Sequence, residues 1–211
     1  MKNNTMLKDA IILFLITLIS GLALGYVYEI TKEPIKQREI EDKLAAYQLV
    51  FPEAESLTTE ETLTALGTQT DLTSLNAEYN GITIDEITAA YKSNNEMSGY
   101  IIKVTTNQGY KDLITLAIGY STAGVITGVE TLAINETAGL GQLADEPEFK
   151  DQFKDKNVEQ FSVVKTGASS DDQIDAISGA TITSRAVVNA VNAGIDFLTE
   201  NASEFGGGAN E

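Results

Sequence analysis

Asp175-Ala176-Ile177-Ser178-Gly179-Ala180-Thr181-Ile182-Thr183-Ser184 runs without a break into a stretch whose apolar residues Val187, Val188, Val191, Ile195 and Leu198 recur at helical spacing. The spacing predicts a closing amphipathic helix, with Thr183 or Ser184 available as its N-cap. Small residues and hydroxyls before a helix satisfy a tight turn and a cap, and that alone would account for them. The same physics favours a phosphate, because the free N–H groups and positive dipole end of a helix N-terminus attract one, and Gly179 and Ala180 leave the approach open. The Thr181 hydroxyl could then carry the phosphate covalently, with Asp175 nearby as proton acceptor or metal-orienting carboxylate.

Upstream of this turn the pattern changes from helical to alternating. Glu86–Lys92, Tyr100–Thr105, Leu113–Tyr120 and Val125–Ile134 are rich in Ile, Val, Thr and Tyr, and Gly99, Asn107-Gln108-Gly109 and Ala123-Gly124 punctuate them. They read as an antiparallel meander. Residues 145–156 read as a short polar helix and Gln160–Lys165 as a further strand. An antiparallel sheet flanked by helices makes residues 86–200 an α+β domain.

From Ala10 to Tyr28 no side chain is charged. That run is roughly 28 Å long as a helix, close to the hydrocarbon thickness of about 30 Å. It is longer than the apolar core of a signal peptide, the competing reading, so residues 1–30 are expected to be a single transmembrane anchor in the lipid bilayer, with Tyr26 and Tyr28 at one interface. Residues 31–85 are expected to hold a stalk helix from Pro34 to Val50 and a connecting segment of loop and short helix over 53–80. The tail, residues 201–211 with Gly206-Gly207-Gly208, is expected to be disordered. Basic residues flank the span on both sides, so the charge count leaves its orientation open.

Of the chain's 211 residues, 31 are acidic and 14 basic, for a net charge of −17. Residues 1–49 balance, so the whole excess sits on the domain that follows. Such a domain repels phosphate backbones, which excludes nucleic acid as a partner. With no Cys and no His, the chain cannot build a disulfide, a thiolate-held iron–sulfur cluster, a Cys/His zinc site, a Ser-His-Asp triad or a His-ligated haem. Redox chemistry would have to ride on an organic cofactor held by hydroxyls, backbone groups and carboxylates.

Asp175-x-x-Ser178-Gly179-Ala180-Thr181, followed by x-Thr183-Ser184, closely resembles the flavinylation motif of the extracytoplasmic FMN-binding domain family. A second element, Glu136-Thr137-Ala138-Gly139-Leu140-Gly141, resembles the Glu-Thr-Pro-Gly-Leu-Gly loop that borders the flavin in that family. A third is Gly109-Tyr110, with Gly128-Val129-Glu130 in the strand leading to the loop. The resemblance covers roughly residues 86–200. The anchor and Thr31-Lys32-Glu33-Pro34-Ile35 extend it toward the G subunits of the Rnf electron-transport complex.

The resemblance implies FMN held covalently through a phosphoester on Thr181, which is a tether rather than a catalyst. It implies cofactor-binding roles for Asp175, Ser178, Gly179, Ala180, Thr183, Ser184, Glu136, Thr137, Gly139, Leu140, Gly141 and Tyr110. Lys165 is a further candidate, since positive charge near a flavin stabilises its anionic reduced form. No metal site is expected. A flavin transferase would install FMN from FAD, and the other membrane and peripheral subunits of the Rnf complex would pass electrons between ferredoxin and NAD⁺ with export of Na⁺ or H⁺. The protein would sit in the cell membrane as a single-pass subunit with its soluble domain on the extracytoplasmic side. Two departures stand out: Ala138 replaces the family's usual Pro, which frees the loop backbone, and Ile134 stands where His is frequent, so a proton-shuttling role there does not transfer. Three alternatives remain at this stage: the C subunit of a sodium-translocating NADH:quinone oxidoreductase, a freestanding extracytoplasmic flavin reductase, and a flavin-free anchored interaction domain.

Overall fold

A computed structural model of the chain describes residues 2–201, with side chains from residue 6 onward; the Gly206-Gly207-Gly208 tail lies outside the described residues. It divides into two compact units, one ending at Lys43 and the other beginning at Leu44. Helix α1 (Lys2–Val50) makes up the first and contributes its last turns to the second. It is long and apolar enough to cross a membrane, and its large apolar side chains from Met6 to Ile30 are exposed. Pro34 does not open a separate stalk helix, as its sequence context suggested, but lies inside α1. Proline removes one N–H from the i to i−4 ladder, and here the helix carries that loss without ending.

The second unit is built on a five-stranded antiparallel sheet of β1 (Ser56–Thr59), β2 (Ile82–Tyr91), β3 (Met97–Thr106), β4 (Ile114–Ser121) and β5 (Ile126–Ile134), in that order. Strands β2 to β5 are the expected meander; β1, an edge strand pairing Ser56 with Tyr91, lies in the segment expected to be loop. Helix α2 (Glu61–Gln69) packs on β2, where Gly67 lets it approach Ile84: a β-carbon there would stand 2.7 Å from Ile84 Cγ2.

Helix α4 (Thr181–Glu200) lies across the same face of the sheet and contacts β3 and β4. Its residues Val187, Val188, Val191, Ile195 and Leu198 are buried, in one core with Ile102, Val104, Leu116 and Ile118 of the sheet. The other face receives the C-terminal end of α1, where Tyr47, Val50 and Phe51 bury against Ala90, Ile101 and Ala117. Burial of apolar surface on both faces is the main term holding the sheet.

The expected helix over 145–156 is broken into a 3₁₀ turn at Gly141–Asp145, a single α turn, α3 (Pro147–Lys150), and a second 3₁₀ turn at Asp151–Phe153. Pro147 has no N–H to continue the preceding turn and starts a new one. The segment is held by Phe149, Phe153 and Phe161, whose rings pack edge to face at 5.8 and 5.1 Å. The strand expected at Gln160–Lys165 shortens to β6 (Ser162–Val164), which pairs in parallel with β7 (Gln173–Asp175). Buried Asn192 of α4 clamps this region, accepting from Phe161 N at 2.8 Å and donating to Phe161 O at 2.9 Å.

Candidate functional site

Three loops meet at the N-terminus of α4. The turn after β3 carries Tyr110, the segment after β5 carries Glu136 to Gly141, and the turn after β7 carries Ser178 to Ala180. Between them lies a cleft of about 510 Å³, lined by Tyr110, Glu136, Thr137, Leu140, Gly141, Gly179, Ala180, Thr181, Ile182 and Thr183. Clefts of some 300 to 1,000 Å³ accommodate small ligands and cofactors.

Helix α4 begins at Thr181, two or three residues before the expected cap. Ala180 is the N-cap residue and supplies no side-chain hydrogen bond. Ser184, instead of capping, is fully buried in the first turn; its Oγ accepts from Ile177 N and donates to Ala180 O, both at 3.0 Å. The hydroxyl that resembled a cap thus ties the preceding turn to the helix, and among the described residues no side chain caps the first-turn amides beside Thr181. Gly179 has φ +78, the left-handed conformation that glycine adopts without cost. The half-buried Thr181 opens the helix directly onto the cleft.

Glu136 forms the cleft floor and is only 5% exposed. Its Oε1 accepts from Tyr110 N at 2.7 Å and from Lys111 N at 3.2 Å. Next to it, Asn135 donates to Asp112 Oδ2 at 3.1 Å, so the two loops are stitched together. The Asp112 carboxyl lies below its ordinary range because Asn135 donates to it, as does the amide of Leu113. Glu136 Oε2 is buried and has no hydrogen-bond partner among the described residues.

Nine of the residues singled out in the sequence share this cleft: Tyr110, Glu136, Thr137, Leu140, Gly141, Gly179, Ala180, Thr181 and Thr183. Gly139 is exposed in the loop at φ +73. Ser178 and Asp175 line a separate, smaller cleft of about 300 Å³. Asp175 Oδ1 accepts from Ala168 N at 2.9 Å, so its visible work is to fold the 165–170 loop. Lys165 is exposed in the bend after β6 and does not line the cleft. Ile182, which the sequence pattern did not single out, lines the cleft with 55% of its surface exposed. An isoleucine that stands off the buried stripe of α4 was the available signal.

A family model described as FMN-binding domain matches residues 109–196, the stretch that holds all three loops. Another, described as the RnfG N-terminal region, matches residues 1–50. The chain is 33% identical over 192 residues to the G subunit of the Na⁺-translocating ferredoxin:NAD⁺ oxidoreductase complex of Acetobacterium woodii, covering 89% of each chain. It is 30% identical over 194 residues to the G subunit of the ion-translocating oxidoreductase complex of Methanosarcina acetivorans, covering 91% of this chain and 94% of that one. Its fold matches the crystal structure of the C subunit of Na⁺-translocating NADH-quinone reductase from Parabacteroides distasonis with a TM-score of 0.50 at 21% identity, over 77% of this chain and 95% of that one. Fold and matched domain define an FMN-binding-domain protein with an N-terminal apolar helix. Within that class the chain belongs to the G-subunit family of ion-translocating oxidoreductase (Rnf) complexes.

Proposed function

We propose that this chain is a membrane-anchored flavoprotein subunit that relays electrons through an FMN joined to Thr181, inside an ion-translocating ferredoxin:NAD⁺ oxidoreductase complex. The observation that carries the reading is the placement of the Thr181 hydroxyl at the head of an uncapped, 20-residue helix that opens onto the cleft. A phosphate there meets free amides and the positive end of the helix dipole. The residues fit the group: the cleft has the volume, Gly141 and Gly179 keep backbone close to it, and a buried acceptor oxygen on Glu136 awaits a donor.

Bound FMN would supply reversible uptake and release of electrons, which no side chain of this His- and Cys-free protein provides. The chain's own part is to hold, orient and shield. Leu140 and Ile182 supply apolar walls, and Tyr110, 70% exposed, stands at the rim. Attachment requires the Thr181 oxygen to bond to the FMN phosphorus of FAD as the phosphoanhydride breaks and AMP leaves, the hydroxyl proton passing to a base. The titratable residues lining the cleft are Tyr110 and Glu136; Oε1 of Glu136 accepts from backbone amides and its Oε2 is buried. In this reading, as the family resemblance implies, a separate flavin transferase carries out the attachment. Residues 10–28 would cross the bilayer, with the acidic domain on the extracytoplasmic side, where a covalent tether prevents loss of the flavin by dilution. Other subunits would bind ferredoxin and NAD⁺ and carry the ion.

Intact-mass spectrometry of the membrane-extracted chain, co-produced with a flavin transferase, tests this directly. The expected result is an increment of FMN less water that survives denaturation and is missing in Thr181→Ala. An unmodified wild-type chain, from a host shown to flavinylate other proteins, would leave the flavin-free anchored domain as the better reading.

A further inference from the structure

Gln108 stands immediately before the Gly109-Tyr110 turn, and its side chain is fully engaged. Nε2 donates to the carbonyl oxygens of Glu78 at 2.6 Å and Asn80 at 2.9 Å, and Oε1 accepts from Asn189 Nδ2 of α4 at 2.9 Å. Two carbonyls take both N–H bonds, so the amide has one orientation, with its oxygen toward the helix. A carboxylate at this position would face those carbonyls with no proton to give. The backbone N–H of Gln108 donates in turn to Oγ1 of the fully buried Thr106 at 3.2 Å. The segment that Gln108 grips is itself docked on α4: Tyr79, buried between the two residues whose carbonyls it holds, donates to Asp196 Oδ2 at 2.5 Å. Asn189 and Asp196 lie about two turns apart on α4. Gln108, the 78–80 segment and the helix thus form a closed circuit of hydrogen bonds.

What the circuit holds is one wall of the cleft. From Gln108 the chain passes through Gly109 to Tyr110, which lines the cleft and whose N–H holds Glu136 at 2.7 Å. Residues 110–113 are exposed and lie outside the strands, so the turn has little apolar burial to fix it and depends on its hydrogen bonds. Another wall belongs to α4, which begins at Thr181. Asn189 lies about 12 Å farther down the axis of that helix, and a bond to it refers the turn to the same rigid body that carries the Thr181 hydroxyl. A fully satisfied polar network rigidifies the elements it joins. Resting on the FMN reading above, we infer that Gln108 is a positioning residue for the flavin: through Asn189 it holds the wall that carries Tyr110 in fixed register with the helix that carries Thr181. Gln108 does not line the cleft; it acts through Tyr110.

The test breaks the bond from either side. Gln108→Met keeps the length of the side chain without its hydrogen bonds, and Asn189→Leu removes the partner on α4. Gly67→Ala, which crowds Ile84 at the α2 packing away from the cleft, serves as a control for loss of stability alone. Each full-length chain is purified in detergent twice, without flavin transferase for hydrogen exchange and after co-production with a flavin transferase for quenching of flavin fluorescence by iodide. Gln108→Met and Asn189→Leu are expected to speed amide exchange over 109–112 several-fold in the apo chain. In the flavinylated chain they are expected to keep the mass increment at Thr181 and to raise the quenching constant several-fold, because a loosened wall admits the quencher. Gly67→Ala is expected to change neither. Unchanged exchange over 109–112 overturns the clamp. Faster exchange with wild-type quenching makes Gln108 a residue of the fold alone and overturns its role toward the flavin, as does a Gly67→Ala chain that reproduces both effects. A wild-type chain without flavin, from a host shown to flavinylate other proteins, refutes the FMN reading and this role with it, while the exchange result still tells whether Gln108 holds the turn.

Discussion

Leu140 lies against the backbone of Gly179, so that a β-carbon at Gly179 would stand 3.0 Å from Leu140 Cδ2. One residue comes from the loop after β5 and the other from the turn before α4, and their contact closes one side of the cleft. Gly139 offers a control: it has φ +73 with nothing within 4 Å of a β-carbon, whereas Gly179 has φ +78 and Leu140 above it. Gly139→Ala is expected to cost about 1 kcal/mol, from the left-handed backbone alone. Gly179→Ala should cost about 1 kcal/mol more, through overpacking against Leu140, and adding Leu140→Ala should recover that difference. Urea unfolding of the three variants measures it, and equal costs for the two glycines would show that the contact has no energetic weight.

The end of α1 sits on a glycine floor. A β-carbon at Gly119 would come 2.2 Å from Thr127 Oγ1 and 2.5 Å from the carbonyl oxygen of Val50, while one at Gly128 would come no nearer than 3.2 Å, to Val50 Cα. The Thr127 hydroxyl donates to that same carbonyl. Gly119→Ala is expected to destabilise the chain by about 2 kcal/mol or more and Gly128→Ala by less, since the overlap with the Val50 carbonyl oxygen at 2.5 Å requires backbone to move, whereas a contact at 3.2 Å is relieved by a few tenths of an ångström. Thermal midpoints of the detergent-solubilised full chain decide between this order and its reverse.

Stability should fall on the alkaline side. Burial, followed by the charge of Glu60, raises the Tyr100 hydroxyl from 10.0 to about 12. Burial also raises Tyr79, aided by its 2.5 Å hydrogen bond to Asp196. A group with a raised folded-state pKa contributes stability that is complete below its unfolded value, about 10, and disappears as pH climbs through the folded value. Melting temperatures are therefore expected to drop between about pH 10 and 12. Tyr100→Phe should make the drop shallower, and an unchanged slope would assign the alkaline transition to other groups.

Asp175 holds the loop that follows β6. Its Oδ1 accepts from Ala168 N at 2.9 Å, and Gln152 accepts from Asp175 N at 2.7 Å. Asp175→Ala is expected to speed amide exchange at Ala168 several-fold, whereas Asp175→Asn, which keeps the acceptor oxygen, should leave exchange near wild type. Hydrogen exchange read by mass spectrometry over 165–170 separates the two.

The four central strands were legible because each alternates or runs apolar between turn residues, a local pattern that survives folding. Ser56–Thr59 was not, since a short, mostly polar and β-compatible run becomes a strand only by pairing with the free edge of β2, information that lies about 30 residues away. The cleft loops were legible as motifs, but the reason for their glycines was not: Gly109 is kept small by the Asp112 carbonyl oxygen together with Glu136, and Gly141 by Glu136 and Thr183, contacts made only in three dimensions. Ser184 looked like a cap because caps and buried back-bonding hydroxyls share the same side chain. Asp175 opens the motif and Lys165 precedes it in sequence, yet neither lines the cleft: Asp175 sits at the end of β7 and accepts from Ala168 N, and Lys165 is exposed in the bend after β6.

Helix α4 gives the proposed attachment point an unusual mechanical character. Thirteen of its residues are buried, and the first turn is pinned through Ser184 to the turn behind it. A redox group fastened to Thr181 would have no swinging arm of the kind that carries substrates between distant stations. It would be a fixed post. Donor and acceptor would have to be brought to it by rearrangement of the surrounding assembly, and the timing of electron delivery would be set by those movements rather than by the reach of the tether.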